Sequence, residues 1–160
     1  MELWDAYDRK LNKVDGITLV RGEIIPDGLY HLVSEIIVKH KDGTYLLMQR
    51  DYTKRLGGKW EASAGGAALC GESSIDCAKR ELYEETGIKA EAIMELGVIV
   101  NDIQKTYYVQ FLCYTDCNKD SISLQKGETI AYRWVTEEEL RQMNSDSLAS
   151  TRMQKYLWNK

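Results

Sequence analysis

The sequence holds little of what cross-links or stiffens a chain. There is one proline, Pro26, and no proline- or glycine-rich stretch that would read as a linker. No repeat or low-complexity tract is present. The four cysteines, Cys70, Cys77, Cys113 and Cys117, form no C-x-x-C pair. With only His31 and His40 beside them, a structural zinc site is disfavoured. No apolar run approaches the roughly 18 residues of a membrane span. The start, MELWDAYDRK, lacks the basic-then-apolar layout of an export signal. Reduced thiols and a cytoplasmic location are therefore expected. A formal net charge of −4 argues against a nucleic-acid polymer as partner, because backbone binding needs a basic footprint.

What is present suits one folded domain over 1–160. Apolar residues make up 44% and charged residues 29% of the chain, enough for a core and a solvated surface. Residues 1–29 read as an extension, with ELWDAYD turning at RKLN into KVDGITL as paired strands. YHLVSEIIVK and TYLLMQR flank the turn signal KDG and predict a hairpin. DYTKRLGGK is a basic loop, and WEASAGG a short strand ending in glycines. Two more strands follow, EAIMELGVIVN and KTYYVQFLCYT. A polar loop covers 118–128, and TIAYRWV closes the strands. Thr136 as N-cap with Glu139 three residues on is a capping box opening a helix at TEEELRQM. A last helix is expected around 147–158. Strands and helices mix without regular alternation, so the class is α+β, with a mixed sheet and flanking helices.

One stretch breaks local rules. In RELYEETGI, Glu81, Glu84 and Glu85 crowd into five positions. Upstream, Ile75, Ala78 and Leu82 have the spacing of a buried helical stripe, Ser73 or Ser74 can cap the start, and Gly87 stands as the stop. At about 100° per residue, Glu84 lies about −60° and Glu85 about +40° from Glu81. Three carboxylates thus share one arc in the last turn, where like charges repel and the helix dipole favours cations. Arg80, four residues before Glu84, offsets part of this. Such conflict marks function more often than fold, and the missing term is a cation.

The wider segment GGAALCGESSIDCAKRELYEETGI supplies the context. Gly66, Glu72, Arg80, Glu81, Leu82, Glu84, Glu85, Gly87 and Ile88 fall at every defined position of G-x5-E-x7-R-E-U-x-E-E-x-G-U, where U is a bulky aliphatic residue. This resembles the signature of the Nudix hydrolases, and the likeness extends over about residues 30–142. It implies an α/β/α sandwich and hydrolysis of a phosphoanhydride with Mg²⁺, or Mn²⁺ in its place. Divalent metal neutralises the anionic phosphorus, clamps oxygens and lowers the pKa of a water. Carboxylates on one arc suit magnesium, which prefers oxygen ligands. The resemblance implies Glu81 and Glu85 as the core metal pair with Glu84 close by. Arg80 would orient a glutamate, and Glu72 would position the loop or touch a second metal. Gly65 and Gly66 either let backbone approach phosphate or simply turn the chain. The base is Glu84 or another box glutamate, or an acid outside the box, for which Glu128 is the candidate.

Family members mostly cleave a nucleoside diphosphate linked to another group, and dimers are common among them. Arg50, Lys54, Arg55 and Lys59 lie in or beside the basic loop and are candidates to meet phosphate. Trp60, Tyr107 and Tyr108 could stack a base, though core packing is favoured. RGEIIPDGLYHLVSEIIV resembles the subgroup similar to isopentenyl-diphosphate isomerase. That isomerase uses a cysteine in a TNTCCSHP segment and a histidine-rich metal site. WEASAGG here has neither residue, so hydrolysis is preferred over isomerisation. A nucleotide-binding domain without turnover is the non-enzyme alternative, and the unbroken signature weighs against it.

Overall fold

The computed structural model describes residues 1–158. The first 20 residues form the expected strand pair. Strand β1 (Leu3–Tyr7) runs antiparallel to β2 (Lys13–Val20), with Leu3 opposite Val20 and Trp4 opposite Leu19. This pair is a sheet of its own. Trp4, Ala6 and Leu19 are buried, with Ile25, Leu29 and Ala67 packed against them, so the hairpin is docked on the body.

The main sheet is mixed, with seven strands among the described residues. They are β3 (His31–His40), β4 (Tyr45–Arg50), β5 (Trp60–Glu61), β6 (Ala64–Ala67), β7 (Ala92–Asn101), β8 (Thr106–Thr115) and β9 (Thr129–Val135). β3 is central and pairs parallel with β8 along its whole length, from His31 opposite Thr106 to His40 opposite Thr115. Helix α1 (Ser74–Thr86) covers one face. Helices α2 (Glu137–Gln142) and α3 (Arg152–Trp158) flank the other.

Period-two alternation explains why both faces are covered. Ile36, Val38, Leu46 and Met48 pack on the α1 side, while Ile37, Tyr45 and Leu47 pack on the α2–α3 side. The apolar runs EIIV and YLLM are therefore strands buried on both faces. Each fully buried Ile or Leu contributes about 1.5–3 kcal/mol of transfer free energy. The α+β class and the mixed sheet with flanking helices are as the sequence predicts.

Three elements differ from expectation. WEASAGG is two strands rather than one. At Ser63 the chain crosses from β4 to β3: Ser63 Oγ donates to Leu46 O at 2.8 Å and accepts from Val38 N at 2.8 Å. β5 then pairs with β4, and β6 pairs with β3. This leaves Lys39–Tyr45 as the β3–β4 register pair of the expected hairpin. Ile75 has the azimuth of the buried stripe but is 39% exposed. In that first turn the contact with β3 is polar, Ser34 Oγ donating to Ser74 O. Cys77, Ala78, Leu82, Glu85 and Thr86 are the residues α1 buries. The last helix starts at Arg152, later than expected. Before it, Ser145–Ser147 form a 3₁₀ turn, and Ala149 N donates to Trp60 O at 2.7 Å.

Candidate active site

Local chemistry sets α1 in place. Ser73 is the N-cap, its hydroxyl accepting from Asp76 N at 3.2 Å. Gly87 ends the helix at φ 78°, the left-handed conformation that favours glycine. Between these stops the helix turns its glutamates toward β6. Gly65 N–H hydrogen-bonds the Glu85 carboxylate. Gly66 faces Glu81 so closely that a Cβ would lie 2.2 Å from Oε1.

Arg80 ties the acidic segment together. Its Nε donates to Glu72 Oε1 at 2.7 Å and its Nη2 to Glu72 Oε2 at 2.9 Å. Nη1 reaches Glu81 Oε1 at 2.7 Å and Glu84 Oε2 at 3.3 Å, and Nη2 also donates to Ala67 O at 3.2 Å. Glu72 in turn accepts from Leu69 N at 2.9 Å, so it fastens the loop ahead of the helix. The Arg80 hydrogen bond holds the Glu72 carboxyl below its ordinary value.

Glu85 is different. It is buried, 7% exposed, and among the described residues it has no salt bridge. Burial, then the neighbouring charges of Glu81 and Glu61, push its pKa up to about 8. Glu81 is also raised, first by burial, with Glu84 and Glu72 adding to it. The repulsion foreseen in the sequence is therefore present, and Arg80 relieves it at Glu81 and Glu84 rather than at Glu85.

These groups line a cavity of about 390 Å³. Gly65, Gly66, Arg80, Glu81, Glu84 and Glu85 form one side; Lys54, Gln125 and Glu128 form another. Lys54 Nζ is ion-paired with Glu128 Oε2, and Asp51 N donates to Glu128 O at 2.9 Å, so the basic loop is tied to the start of β9. Of the four basic candidates, Lys54 alone lines this cavity. Arg50 instead pairs with Glu61 at 2.6 Å, and its Nε donates to Arg55 O. Arg55 and Lys59 line neither this cavity nor its neighbour. That neighbour, about 260 Å³, shares Gly65 and is lined by Glu35, Arg50, Glu61, Tyr108 and Arg152.

The aromatic candidates separate. Tyr107 is buried and its hydroxyl donates to Asp8 O at 3.0 Å, a packing role. Trp60 lies under the Arg133 guanidinium, 4.7 Å from the ring centroid. Tyr108 lines the smaller cavity beneath Arg152, at 4.0 Å. The cysteines are all unpaired. Cys77 does sit among the glutamates, as its azimuth requires, but it is buried, contacts Gly66 O at 3.4 Å and has its thiol pushed up to about 11 by burial.

Residues that the sequence did not single out also face the large cavity. Trp4 comes from β1, Glu2 and Arg21 flank the ends of β1 and β2, and His31 comes from the start of β3. His31 stacks on Trp4 at 4.2 Å, and burial lowers its pKa to about 4. It is neutral. Thr106 Oγ1 donates to Gln104 O, so it accepts from His31 Nε2–H, which leaves Nδ1 as a buried acceptor without a partner among the described residues. Glu61, in the neighbouring cavity, is a further missed acid, half-buried and raised by that burial. Its one sequence signal was a carboxylate two residues into an otherwise small, apolar segment.

The donor set fits a hard divalent cation. All candidate ligands are carboxylate oxygens, one of them buried without a salt bridge among the described residues, and the missing Cβ of Gly66 leaves room at Glu81. Among the described residues no three such groups already surround one point, because Glu81 is bonded to Arg80.

A family model for the NUDIX domain matches residues 29–155. An uncharacterized Nudix hydrolase of Listeria monocytogenes is 31% identical over 146 residues, covering 91% of this chain and 86% of the relative. Among solved structures, the DR0079 protein of Deinococcus radiodurans superposes with a TM-score of 0.78 at 16% identity, covering 97% of both chains. The NUDIX domain of Shewanella oneidensis NrtR, solved with ADP-ribose, gives 0.64 at 19% identity, covering 79% of this chain and 84% of that one. The chain belongs to the Nudix family, as a diphosphate hydrolase of the Nudix type.

Proposed function

We propose that this protein hydrolyses a phosphoanhydride in a nucleoside diphosphate linked to a second group, with Mg²⁺ or Mn²⁺ bound by Glu81 and Glu85 and with Glu84 close by. The observation that carries this reading is Glu85: a buried carboxyl, flanked by two other acids and without a salt bridge among the described residues, whose burial the charge of Lys54 offsets only in part. A bound divalent ion would balance that charge and, when present, neutralise the phosphate and lower the pKa of a water.

The chain's own residues supply the rest. Arg80 and Glu72 fix the loop and the first turns of the acidic arc. Gly65 and Gly66 keep the cavity floor free of side chains. Lys54 turns from Glu128 to a phosphate oxygen. Glu128, so released, takes the proton of the attacking water as general base. The strand pair at the N-terminus supports the resemblance to the isopentenyl-diphosphate-isomerase-like subgroup. We read residues 1–160 as one working unit with the 1–29 hairpin included, acting in the cytoplasm on small molecules.

A panel of nucleoside mono-, di- and triphosphates, nucleotide sugars including ADP-ribose, and dinucleoside polyphosphates tests this, with Mg²⁺ or Mn²⁺ and with chelator. Metal-dependent cleavage of a diphosphate linkage is expected. Tight binding of a panel member without turnover would instead support a sensor.

A further inference from the structure

The N-terminal strand pair lies wholly outside the span the family model matches, yet with the flanking Glu2 and Arg21 it forms a wall of the carboxylate cavity. Strand register brings this about. Leu3 opposite Val20 sets Glu2 beside Arg21, and Arg21 N donates to Glu2 O at 3.0 Å. The side chains then form a chain of three. Trp4 Nε1 donates to Glu2 Oε1 at 2.7 Å, and Arg21 Nη1 donates to Glu2 Oε2 at 2.9 Å.

The hairpin is also fixed to the signature loop. Cys70 N donates to Leu3 O at 2.9 Å, and Gly71 N to Asp5 Oδ2 at 2.8 Å. Both acceptors are sequence neighbours of the cavity-lining Trp4. The wall and the loop that carries Glu72 therefore hold a common position.

Charge decides what this wall is for. Among the described residues, three basic side chains face the cavity: Arg21, Lys54 and Arg80. Arg80 is committed to Glu72, Glu81 and Glu84, and its removal would dismantle the acidic segment. Lys54 offers a single ammonium. Arg21 is held by one carboxylate, and its side chain is 63% exposed. Such an exposed pair adds little to stability, so stability does not explain an arginine kept over this cavity. A diphosphate has non-bridging oxygens on both sides of its axis. One side meets the metal and carboxylates, and the other needs donors in a planar fork, which guanidinium provides.

Resting on the hydrolase reading above, we propose that Arg21 is a substrate-binding residue: its guanidinium takes the non-bridging phosphate oxygens turned away from Glu81 and Glu85, and Glu2 keeps it aimed there. The N-terminal hairpin is then part of the active site, and the substrate class is one with at least two linked phosphates.

Calorimetry with imidodiphosphate, a non-hydrolysable diphosphate, in the presence of Mg²⁺ reads this directly. Arg21→Ala should weaken binding about tenfold, and Arg21→Lys, which keeps the charge but loses the fork, should recover only part of the loss. Arg9→Ala removes the same charge from the same hairpin. Arg9 pairs with Asp102 and does not line the cavity, so its loss should leave binding unchanged. Steady-state kinetics on any cleaved substrate should show the Arg21→Ala defect in KM rather than kcat. Binding by Arg21→Ala within about twofold of wild type would overturn the proposal while leaving the hydrolase reading intact. A loss that follows a fall in melting temperature would also overturn it, assigning Arg21 to hairpin stability. Wild-type protein that neither binds imidodiphosphate nor cleaves any diphosphate would overturn both.

Discussion

Gly66 and Glu81 meet where β6 runs beneath α1, and a methyl group on Gly66 would sit 2.2 Å from Glu81 Oε1 and 2.3 Å from its Cδ. The glycine is required by the carboxylate, since it lies in a strand where alanine is otherwise preferred. Gly66→Ala should therefore push Glu81 off Arg80 with little cost to the fold. Turnover should fall by about tenfold or more, because small misplacements of reacting groups are costly. The melting temperature should change by only a few degrees, about the effect of 1 kcal/mol or less. Full activity in this variant would show that the position of Glu81 is not critical.

Glu85 links metal to pH. Its folded pKa of about 8 lies above the ordinary 4.5. Between those values the folded protein holds a proton that the unfolded chain releases. In chelator, stability is thus highest below pH 4.5 and is lost as pH rises toward 8. Glu85→Gln should remove that slope and melt higher than wild type at pH 8. Mg²⁺ at a hundredfold excess over its dissociation constant should stabilise wild type by about 2.7 kcal/mol, and the variant should lose most of this. Thermal melts across pH, with and without Mg²⁺, check both signs. A variant that melts lower in chelator and keeps its Mg²⁺ response would make Glu85 structural.

Lys54 and Glu128 are paired on one side of the cavity, and the two variants should differ in kind. Lys54→Met removes a phosphate donor present throughout binding, so KM should rise about tenfold with kcat little changed. Glu128→Gln removes the general base, so kcat should drop about a hundredfold or more with KM nearly constant. Unchanged kcat in Glu128→Gln would move the base back into the signature helix.

Much of this was legible because local rules agreed with one another. Ser73, Gly87 and the Thr136–Glu139 box fixed helix ends through backbone hydrogen bonds that neighbours in sequence can supply. The glutamate cluster was legible for the opposite reason, as a conflict that only a ligand resolves. What sequence hid was non-local. Ser63 splits WEASAGG because its hydroxyl bridges Leu46 and Val38, residues distant in the chain. The pairing of Arg50 with Glu61 joins β4 to β5 and is not written in either segment alone. Arg21 and His31 reach the cavity only once the hairpin docks, and no periodicity within residues 1–29 reports that docking.

The central claim is that water attacks phosphorus, and turnover in oxygen-18 water tests it most directly. With Mg²⁺ and a cleaved substrate from the panel, mass spectrometry should find one heavy oxygen in a phosphate-bearing product. The Glu85→Gln enzyme should incorporate it far more slowly. Products free of label, or a prenyl diphosphate returned unlabelled with its double bond moved, would contradict the account.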